Sequence, residues 1–311
     1  MREPKGRRIK KLTEAWIPFS LNAVFLPFLL GFVVLSFASA SLQDEPETAV
    51  HFDFRSLHPG EVLKVSLKDP SLLQTAFVRV FERKFSFAAA VDTDELIALV
   101  GIDLDQKEGE YPLQVTVQRA DGRTEVIRRR LFVEAREFPE DRLWVDERYV
   151  TPPSSVLDRI QRESVILSSL FSLLSPVWMA EGPFIVPVEG KAANNFGERR
   201  FFNNKPRSPH SGEDISAPAG TAVAASNSGR VVLASELYYS GNTVIIDHGL
   251  GVYTFTCHFS RILAKRGQTV KKGDVIGEVG ATGRVTGPHL HWSVRVNGGR
   301  VDPYSLLYLK F

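Results

Sequence analysis

Short runs of β-branched or alternating residues, separated by turn-forming segments, recur along this chain of 311 residues and constrain its fold most. In residues 45–140, turn-rich segments separate five such runs: Val62 to Leu67, Ala76 to Phe81, Leu96 to Ile102, Leu113 to Gln118 and Val126 to Val133. This spacing is typical of an immunoglobulin-like β-sandwich module. Residues 183–311 also contain short β-like runs and glycine turns, so the sequence predicts a mainly β protein.

One segment between these two regions departs from the β pattern. Pro152 and Pro153 precede it, and Ser155 can cap a helix. Apolar residues then recur at helical spacing before Pro176, at Val156, Ile160, Leu167, Leu170, Phe171 and Leu174. We therefore predict a linking helix within a connector, residues 141–182, and expect it to pack between the two β regions. A helix that contacts a membrane or gates a site is the alternative.

The first 40 residues are typical of an export signal. Six basic residues lie among the first 11, an apolar run extends from Ala15 to Phe37, and small residues occupy positions 38–40. The densest apolar stretch has 15 residues, fewer than the roughly 20 that span a bilayer. We predict a signal peptide cleaved after Ala40, with an uncleaved signal anchor as the alternative. Both predict export to the periplasm or cell envelope, with membrane contact only through this segment if it stays uncleaved.

The single cysteine, Cys257, excludes an intrachain disulfide and a metal cage of thiolates, so a metal site must use histidines and carboxylates. We expect Cys257 itself to be an inert core residue. The net charge of +2 hides an uneven distribution, because residues 182–311 carry 15 basic and nine acidic side chains. Such a region favours a carboxylate-rich polymer by electrostatic steering. Nothing in the sequence indicates nucleic-acid binding or fixes the oligomeric state.

Histidines concentrate near the carboxyl end, where five of the seven lie within the last 102 residues. His210 and Asp214 are four residues apart, and Gly212 between them allows a tight bend. Both side chains can therefore aim at one point. An imidazole and a carboxylate in this arrangement have the character of metal ligands.

Alternation of polar and apolar residues predicts where two strands point their histidines. In residues 289–296, His289 and His291 share the polar face of a strand, and the apolar residues between them face the core. In residues 252–258, we expect the bulky side chains at positions 253, 255 and 257 to face the core. His258 would then lie on the opposite face and point toward the metal.

Four other candidate residues have simpler explanations. Glu213 is an alternative general base, but its place next to Asp214 on a strand turns it to the other face. His248 ends a β-like run and has no second ligand nearby, so we expect a structural hydrogen bond. We expect His51 and His58 to be ordinary surface histidines.

Several motifs follow one another in residues 183–305: the H-x-x-x-D of His210 and Asp214, Tyr253-Thr254-Phe255 before His258, and Gly287-Pro288-His289-Leu290-His291-Trp292. Together with Phe196-Gly197 and Gly280-Ala281-Thr282-Gly283, they resemble the lysostaphin/LytM-type zinc metallopeptidases of bacterial cell walls. This resemblance implies an antiparallel β-sheet with the duplicated hybrid motif fold in residues 183–311. The upstream β region and helix also resemble the amino-terminal half of exported members of this family.

The resemblance further implies that one Zn²⁺ is bound by His210, Asp214 and His291. His258 and His289 would flank the bound water, one as general base and the other as oxyanion stabiliser, in an order that the sequence does not assign. The implied activity is that of an endopeptidase that hydrolyses the peptide cross-links of peptidoglycan. The peptide stems of peptidoglycan are then its partner.

Some alternatives stay open. Asn203, Asn204 and Arg207 precede the first ligand and are candidate substrate-binding residues, with a solvated loop as the alternative. A non-enzymatic factor that activates other peptidoglycan hydrolases is a rival function, although all five family positions are intact here. A zinc peptidase that acts on protein or another amide is a second rival. The upstream region could inhibit, target or only space the catalytic region.

Overall fold

The structure, a computed structural model, describes residues 48–68, 73–91 and 93–311. The predicted signal segment, residues 1–40, lies outside these ranges. The described residues form one unit. The division of the chain at residues 45–140, 141–182 and 183–311 stays a prediction.

The first half of this unit consists of two four-stranded antiparallel sheets. Its strands are β1 (Val50–Asp53), β2 (Val62–Lys68), β3 (Leu73–Val80), β4 (Arg83–Ser86), β5 (Ala88–Ala89), β6 (Glu95–Gly101), β7 (Gly109–Arg119) and β8 (Thr124–Val133). The strand orders are β1-β2-β6-β5 and β4-β3-β7-β8. Alternate residues of both sheets, such as Val65, Val78 and Val115, are buried in one shared core. The immunoglobulin-like assignment of this region stays a prediction.

The connector contains a strand, a 3-10 turn and the predicted helix. These are β9 (Glu140–Leu143), the turn Glu147–Tyr149 and α1 (Ser154–Ser172). The predicted cap at Ser155 is wrong, because Pro153 occupies the cap position and makes no side-chain hydrogen bond to the helix. The helix ends before Leu173, where the backbone becomes extended.

The second half is built on a ten-stranded sheet. Its elements are β10 (Lys191–Ala192), β11 (Arg199–Phe202), β12 (Lys205–Pro206), β13 (Gly212–Ser216), β14 (Ala222–Ala224), β15 (Gly229–Leu237), β16 (Gly241–Gly249), β17 (Val252–Ile262), β18 (Thr269–Val270), β19 (Val275–Val279), β20 (Leu290–Val296), β21 (Gly299–Val301) and α2 (Pro303–Tyr308). The main path runs β10-β13-β20-β17-β16-β15-β18. β11, β12 and β9 form a separate three-stranded sheet, in which β9 runs parallel to β11. The predicted mainly β architecture is confirmed.

The two faces of the large sheet differ in chemistry. Leu290, Trp292, Val294 and Val296 of β20 are fully buried in the main core, so the predicted alternation of this strand is confirmed. The opposite face carries the polar side chains of β20. Part of that face is covered by α1, whose half-buried residues Leu167, Leu170 and Phe171 pack against Leu233, Leu237, Ile245 and Tyr253. The helix therefore lies on the large sheet, whereas we expected it between the two β regions.

Buried polar contacts join the two halves of the unit. Arg55 donates hydrogen bonds to Glu61 at 2.5 Å and to Asp302, beside α2, at 2.7 Å. The backbone nitrogen of Val62 donates to Ser305 Oγ at 2.8 Å. Because these groups are largely withdrawn from water, removing one side of the contact leaves buried polar groups unpaired.

Within the described ranges, neither helix combines the length and the apolar character that crossing a membrane requires.

Candidate metal centre

Strand pairing brings the three predicted ligands together. β13 and β20 are antiparallel neighbours, and Asp214 lies directly opposite His291, so both side chains point to the same face. His210 precedes β13 and reaches the same point. The distance from His210 Nε2 to His291 Nδ1 is 2.9 Å. Asp214 Oδ1 lies 3.1 Å from the first nitrogen and 2.8 Å from the second.

The surroundings of these three atoms fit a bound cation. His210 Nδ1 lies 2.9 Å from the carbonyl oxygen of Asn195, which makes Nδ1 the protonated nitrogen and leaves Nε2 with a free lone pair. The second carboxylate oxygen of Asp214 accepts hydrogen bonds from Asn195 Nδ2 at 3.0 Å and from Arg200 Nη2 at 2.8 Å. Two nitrogens and one oxygen therefore converge on one point. Two imidazoles and one carboxylate form a donor set that can hold a metal ion and leave a position open.

The protonation states of these residues also favour the binding of a metal ion. Burial lowers the pKa of His291 to about 4 and that of His258 to about 3, so both imidazoles are neutral at neutral pH. Burial acts to raise the pKa of Asp214, but the close approach of His210 and His291 holds it well below its usual range. Neutral imidazoles and an ionised carboxylate are the forms that bind metal ions.

His258 reaches the site by a different route from the one predicted. Cys257 lies directly opposite His291, so residues 253, 255 and 257 share the face of the site, and the predicted alternation is wrong. Between β16 and β17 the register shifts, because Cys257 pairs with Thr243 and Phe259 pairs with Asn242. His258 is the extra residue of this bulge and has a left-handed backbone with a φ of 68°. The bulge turns its ring back, 4.9 Å from the ring of His289 and 6.1 Å from that of His291.

Backbone carbonyls fix the tautomers of the two flanking histidines. His258 Nδ1 lies 2.8 Å from the carbonyl oxygen of Thr282, and His289 Nδ1 lies 2.9 Å from that of Gly287. Each Nδ1 therefore carries the proton, and each Nε2 has a free lone pair. His289 Nε2 lies 3.8 Å from Asp214 Oδ1, at the edge of the ligand group.

A cavity of about 310 Å³ opens over these residues. Its walls include the two ligands His210 and His291 together with His258, and α1 contributes Leu167 and Phe171. Other lining residues are aromatic or basic: Phe202, Tyr239, Phe255, Arg200, Arg284 and Arg295. The helix that precedes the catalytic region thus forms one wall of the candidate site.

The structure does not bring Asn203, Asn204 and Arg207 to this cavity. The two asparagines have φ values of 49° and 63° and form the turn between β11 and β12, a conformation that asparagine tolerates better than most residues. The side chain of Asn203 exchanges hydrogen bonds with the backbone of Val145. Arg207 Nη2 donates to the carbonyl oxygen of Val150 at 2.5 Å. These polar groups attach the connector to the catalytic region.

The remaining candidates lie apart from the ligand group. Glu213 is buried on the opposite face, where its carboxylate accepts the backbone N–H of Asn194. Burial raises the pKa of Glu213. Cys257 is buried, as expected, although it lies on the side of the site. His51 and His58 belong to the first half of the unit, and neither is buried.

His248 makes the structural hydrogen bonds that we expected. It is fully buried, with Nδ1 2.8 Å from the carbonyl oxygen of Ser228 and Nε2 2.8 Å from Thr254 Oγ1. Burial lowers its pKa from 6.5 to about 4. The folded state therefore binds the proton more weakly than the unfolded state does.

This shift predicts a loss of stability in mild acid. As the pH falls from 6.5 to 4, the unfolded state takes up a proton at His248 that the folded state excludes, which costs about 3 kcal/mol of unfolding free energy. The His248→Gln variant lacks this titration. Urea unfolding at pH 7 and pH 4.5 should show a smaller pH-dependent loss in the variant. An equal loss in both proteins would contradict the prediction.

Sequence reasoning missed the residues that support the ligands. Asn195 and Arg200 hold the outer oxygen of Asp214, and the carbonyl of Thr282 orients His258. The pairing of Arg200 with Asp214 depends on a fold that local patterns do not specify. Thr282 belongs to the Gly280-Ala281-Thr282-Gly283 motif of the resemblance, but the motif did not indicate that its carbonyl orients His258. For Asn195, the sequence carries no signal.

Comparisons with known proteins agree with this geometry. Residues 208–303 match the profile of Peptidase family M23. The peptidoglycan DD-endopeptidase ShyA of Vibrio cholerae is 44% identical over 119 residues, which are 37% of this chain and 28% of that protein. The DD-carboxypeptidase/endopeptidase Mpg of Neisseria meningitidis is 45% identical over 97 residues, which are 31% of this chain and 22% of that protein. The chain thus spans less than a third of the length of these curated relatives.

A solved structure extends the likeness upstream of the matched segment. The crystal structure of a "putative peptidase M23" from Pseudomonas aeruginosa is 32% identical and covers 82% of this chain and 96% of its own, with a TM-score of 0.62. Both halves of the described unit therefore have a counterpart in one homologous structure. The profile match and this relative confirm what the motifs predicted: the chain belongs to peptidase family M23.

Proposed function

We propose that this protein is a zinc-dependent endopeptidase that hydrolyses the peptide cross-links of peptidoglycan. The observation that carries the proposal is the convergence of His210 Nε2, Asp214 Oδ1 and His291 Nδ1, with two further histidines beside them. The names of the relatives, which are peptidoglycan DD-endopeptidases, support this substrate. A substrate in the cell wall places the site of action outside the cytoplasm.

In this proposal His210, Asp214 and His291 hold one Zn²⁺. When bound, the ion supplies Lewis-acid activation of water and of the scissile carbonyl. Asn195 and Arg200 orient the carboxylate of Asp214, because they satisfy its outer oxygen. The −1 charge of Asp214 is retained even though the residue is largely withdrawn from water.

His258 and His289 perform the proton transfers. Both have Nδ1 bound to a backbone carbonyl, so Nε2 is the atom that accepts a proton from the attacking water and returns it to the leaving amine. The histidine at the second position can stabilise the developing oxyanion only when its Nε2 carries a proton to donate. The assignment of the two roles between His258 and His289 stays open.

The rival functions make different predictions. A non-enzymatic activator needs no intact ligand set, yet this chain keeps all three ligands and both flanking histidines in one place. A zinc peptidase that acts on protein needs the same catalytic groups, so only the substrate distinguishes it. Attachment to the inner membrane depends on residues 1–40 and stays a prediction.

The test is to digest cross-linked muropeptides with the purified protein and to identify the products by mass spectrometry. We expect each dimer to yield two monomers through gain of one water, and a zinc chelator to stop the reaction. Cleavage of an unfolded protein substrate but not of muropeptides would favour the second rival. Zinc binding without any cleavage, combined with stimulation of an added hydrolase, would favour the activator.

A further inference from the structure

Arg284 lines the cavity of the candidate site but takes no part in the mechanism above. It belongs to the loop that leads into β20. The carbon of its guanidinium lies 4.5 Å from the ring centroid of Phe202 and 4.8 Å from that of Tyr239. Two aromatic rings thus support the planar cation from the wall of the cavity.

The guanidinium of Arg284 lacks an anionic partner among the described residues. Arg200 and Arg300, by comparison, donate to Asp214 and Asp103 at 2.8 and 2.6 Å. Burial, together with the nearby charges of Arg207 and Arg200, lowers the pKa of Arg284 to about 10. A partly desolvated cation without a counter-charge is unfavourable in the free protein and becomes favourable when an anion enters the cavity.

The loop that carries Arg284 is held firmly next to His258. The backbone nitrogen of Arg284 donates to the carbonyl oxygen of Tyr239 at 2.8 Å, and that of Asn242 donates to Thr282 Oγ1 at 2.9 Å. Gly283 has a φ of 79°, and a Cβ there would lie 2.4 Å from the backbone nitrogen of Gly241. The same loop provides the Thr282 carbonyl that orients His258. The guanidinium is therefore positioned before substrate arrives, at a fixed place relative to the catalytic histidines.

We propose that Arg284 binds a free carboxylate of the cross-linked peptide and thereby selects cross-links that carry one beside the scissile amide. A cross-link formed through the amino group of an amino acid centre leaves the carboxylate of that centre free, next to the bond to be cut. A guanidinium can receive it through two parallel N–H···O hydrogen bonds. This inference rests on the proposed function and makes Arg284 a specificity-determining residue of the same site.

Arg295 is a second buried guanidinium in the cavity wall, and burial lowers its pKa to about 10 as well. It lies four residues beyond His291 on β20, and its guanidinium carbon is 5.3 Å from the ring centroid of Phe171 on α1. Arg284 is the better candidate for the carboxylate next to the scissile bond, because its loop contacts His258 directly.

The test compares two cross-linked peptides that differ only in a carboxylate or a carboxamide beside the scissile amide. We expect the wild-type protein to prefer the carboxylate by roughly 10- to 100-fold in kcat/KM. Arg284→Gln should lose this preference, so that its kcat/KM for the carboxylate peptide is no higher than its kcat/KM for the carboxamide peptide. Arg284→Lys should keep part of the preference, and Arg261→Gln, at an exposed arginine of β17, should keep all of it.

Two outcomes would overturn the inference. If Arg284→Gln keeps the wild-type preference for the carboxylate peptide, another group binds the carboxylate. If it loses activity on both peptides equally, Arg284 supports the fold of the loop. If the wild-type protein cleaves neither peptide, only the proposed function has failed. Binding of the same two peptides, measured by calorimetry, then tests the role of Arg284. A binding preference that disappears in Arg284→Gln would support the inference in that case, and equal binding of both peptides by the wild-type protein would overturn it.

Discussion

Replacement of His291 by alanine is expected to remove the metal and, with it, all but a trace of the cleavage of peptidoglycan cross-links. Its Nδ1 atom lies within 3 Å of both other ligand atoms, at 2.9 Å from His210 Nε2 and 2.8 Å from Asp214 Oδ1. The remaining two ligands, His210 and Asp214, are too few to hold the ion tightly. We expect kcat/KM to fall at least about 1,000-fold, the scale of several kcal/mol of transition-state stabilisation.

The matched control for this substitution is His248→Gln. Both histidines are withdrawn from water, but His248 binds Ser228 and Thr254 instead of facing the cavity. Metal content by mass spectrometry and cleavage of muropeptides should be lost together in His291→Ala and be retained together in His248→Gln at pH 7. A His291→Ala protein with one bound zinc and normal turnover would contradict the assignment of the ligand.

Replacement of His258 is expected to separate metal binding from turnover. The ring of His258 is 6.1 Å from that of His291. Its Nδ1 is bound to the carbonyl oxygen of Thr282, so Nε2 is the nitrogen available for proton transfer. The variant of choice is His258→Asn, because asparagine tolerates the left-handed backbone that the bulge requires and alanine does not. We expect kcat to fall about 10²- to 10⁴-fold while the protein keeps its zinc.

The comparison of metal content, kcat and thermal unfolding in His258→Asn decides this point. Loss of zinc from the variant would make His258 a ligand. Wild-type kcat would exclude it from the proton transfers and leave His289 as the catalytic histidine. His258→Ala, measured in parallel, reports how much of any stability change comes from the backbone conformation.

The upstream region is part of the folded unit, which limits what a deletion can show. Arg55 and Val62 bind Asp302 and Ser305 of the catalytic region, and α1 provides Leu167 and Phe171 to the cavity wall. A protein without residues 41–181 loses these contacts at once. Substitutions at the cavity-facing residues of α1 therefore report on the helix more cleanly than its removal does.

The sequence predicted those parts of the site that depend on regular local geometry. β20 alternates as expected, with Trp292 buried and His291 on the opposite face. The H-x-x-x-D spacing also brings His210 and Asp214 together, because His210 lies just before the short strand whose middle residue is Asp214. Such patterns are specified by residues that are near neighbours in the chain.

The parts that could not be predicted depend on irregular or distant geometry. A prediction from alternation assumes that each residue of a strand pairs with one residue of its neighbour. The bulge at His258 adds an extra residue to β17, and no local sequence pattern predicts it. The parallel pairing of β9 with β11 joins segments about 60 residues apart, and it explains why Asn203 contacts the connector instead of the cavity. Asn195 and Arg200, which bind the outer oxygen of Asp214, lie 19 and 14 residues before it in the sequence, too far for a local pattern to join them.

The central claim is that His210, Asp214 and His291 form one catalytic zinc site. The most direct measurement is to prepare the metal-free protein, titrate it with zinc and follow both bound metal and cleavage of cross-linked muropeptides in the same samples. Activity should rise in proportion to bound zinc and stop rising at one ion per chain. Full cleavage by the metal-free protein, or one tightly bound zinc per chain without cleavage, would contradict the claim.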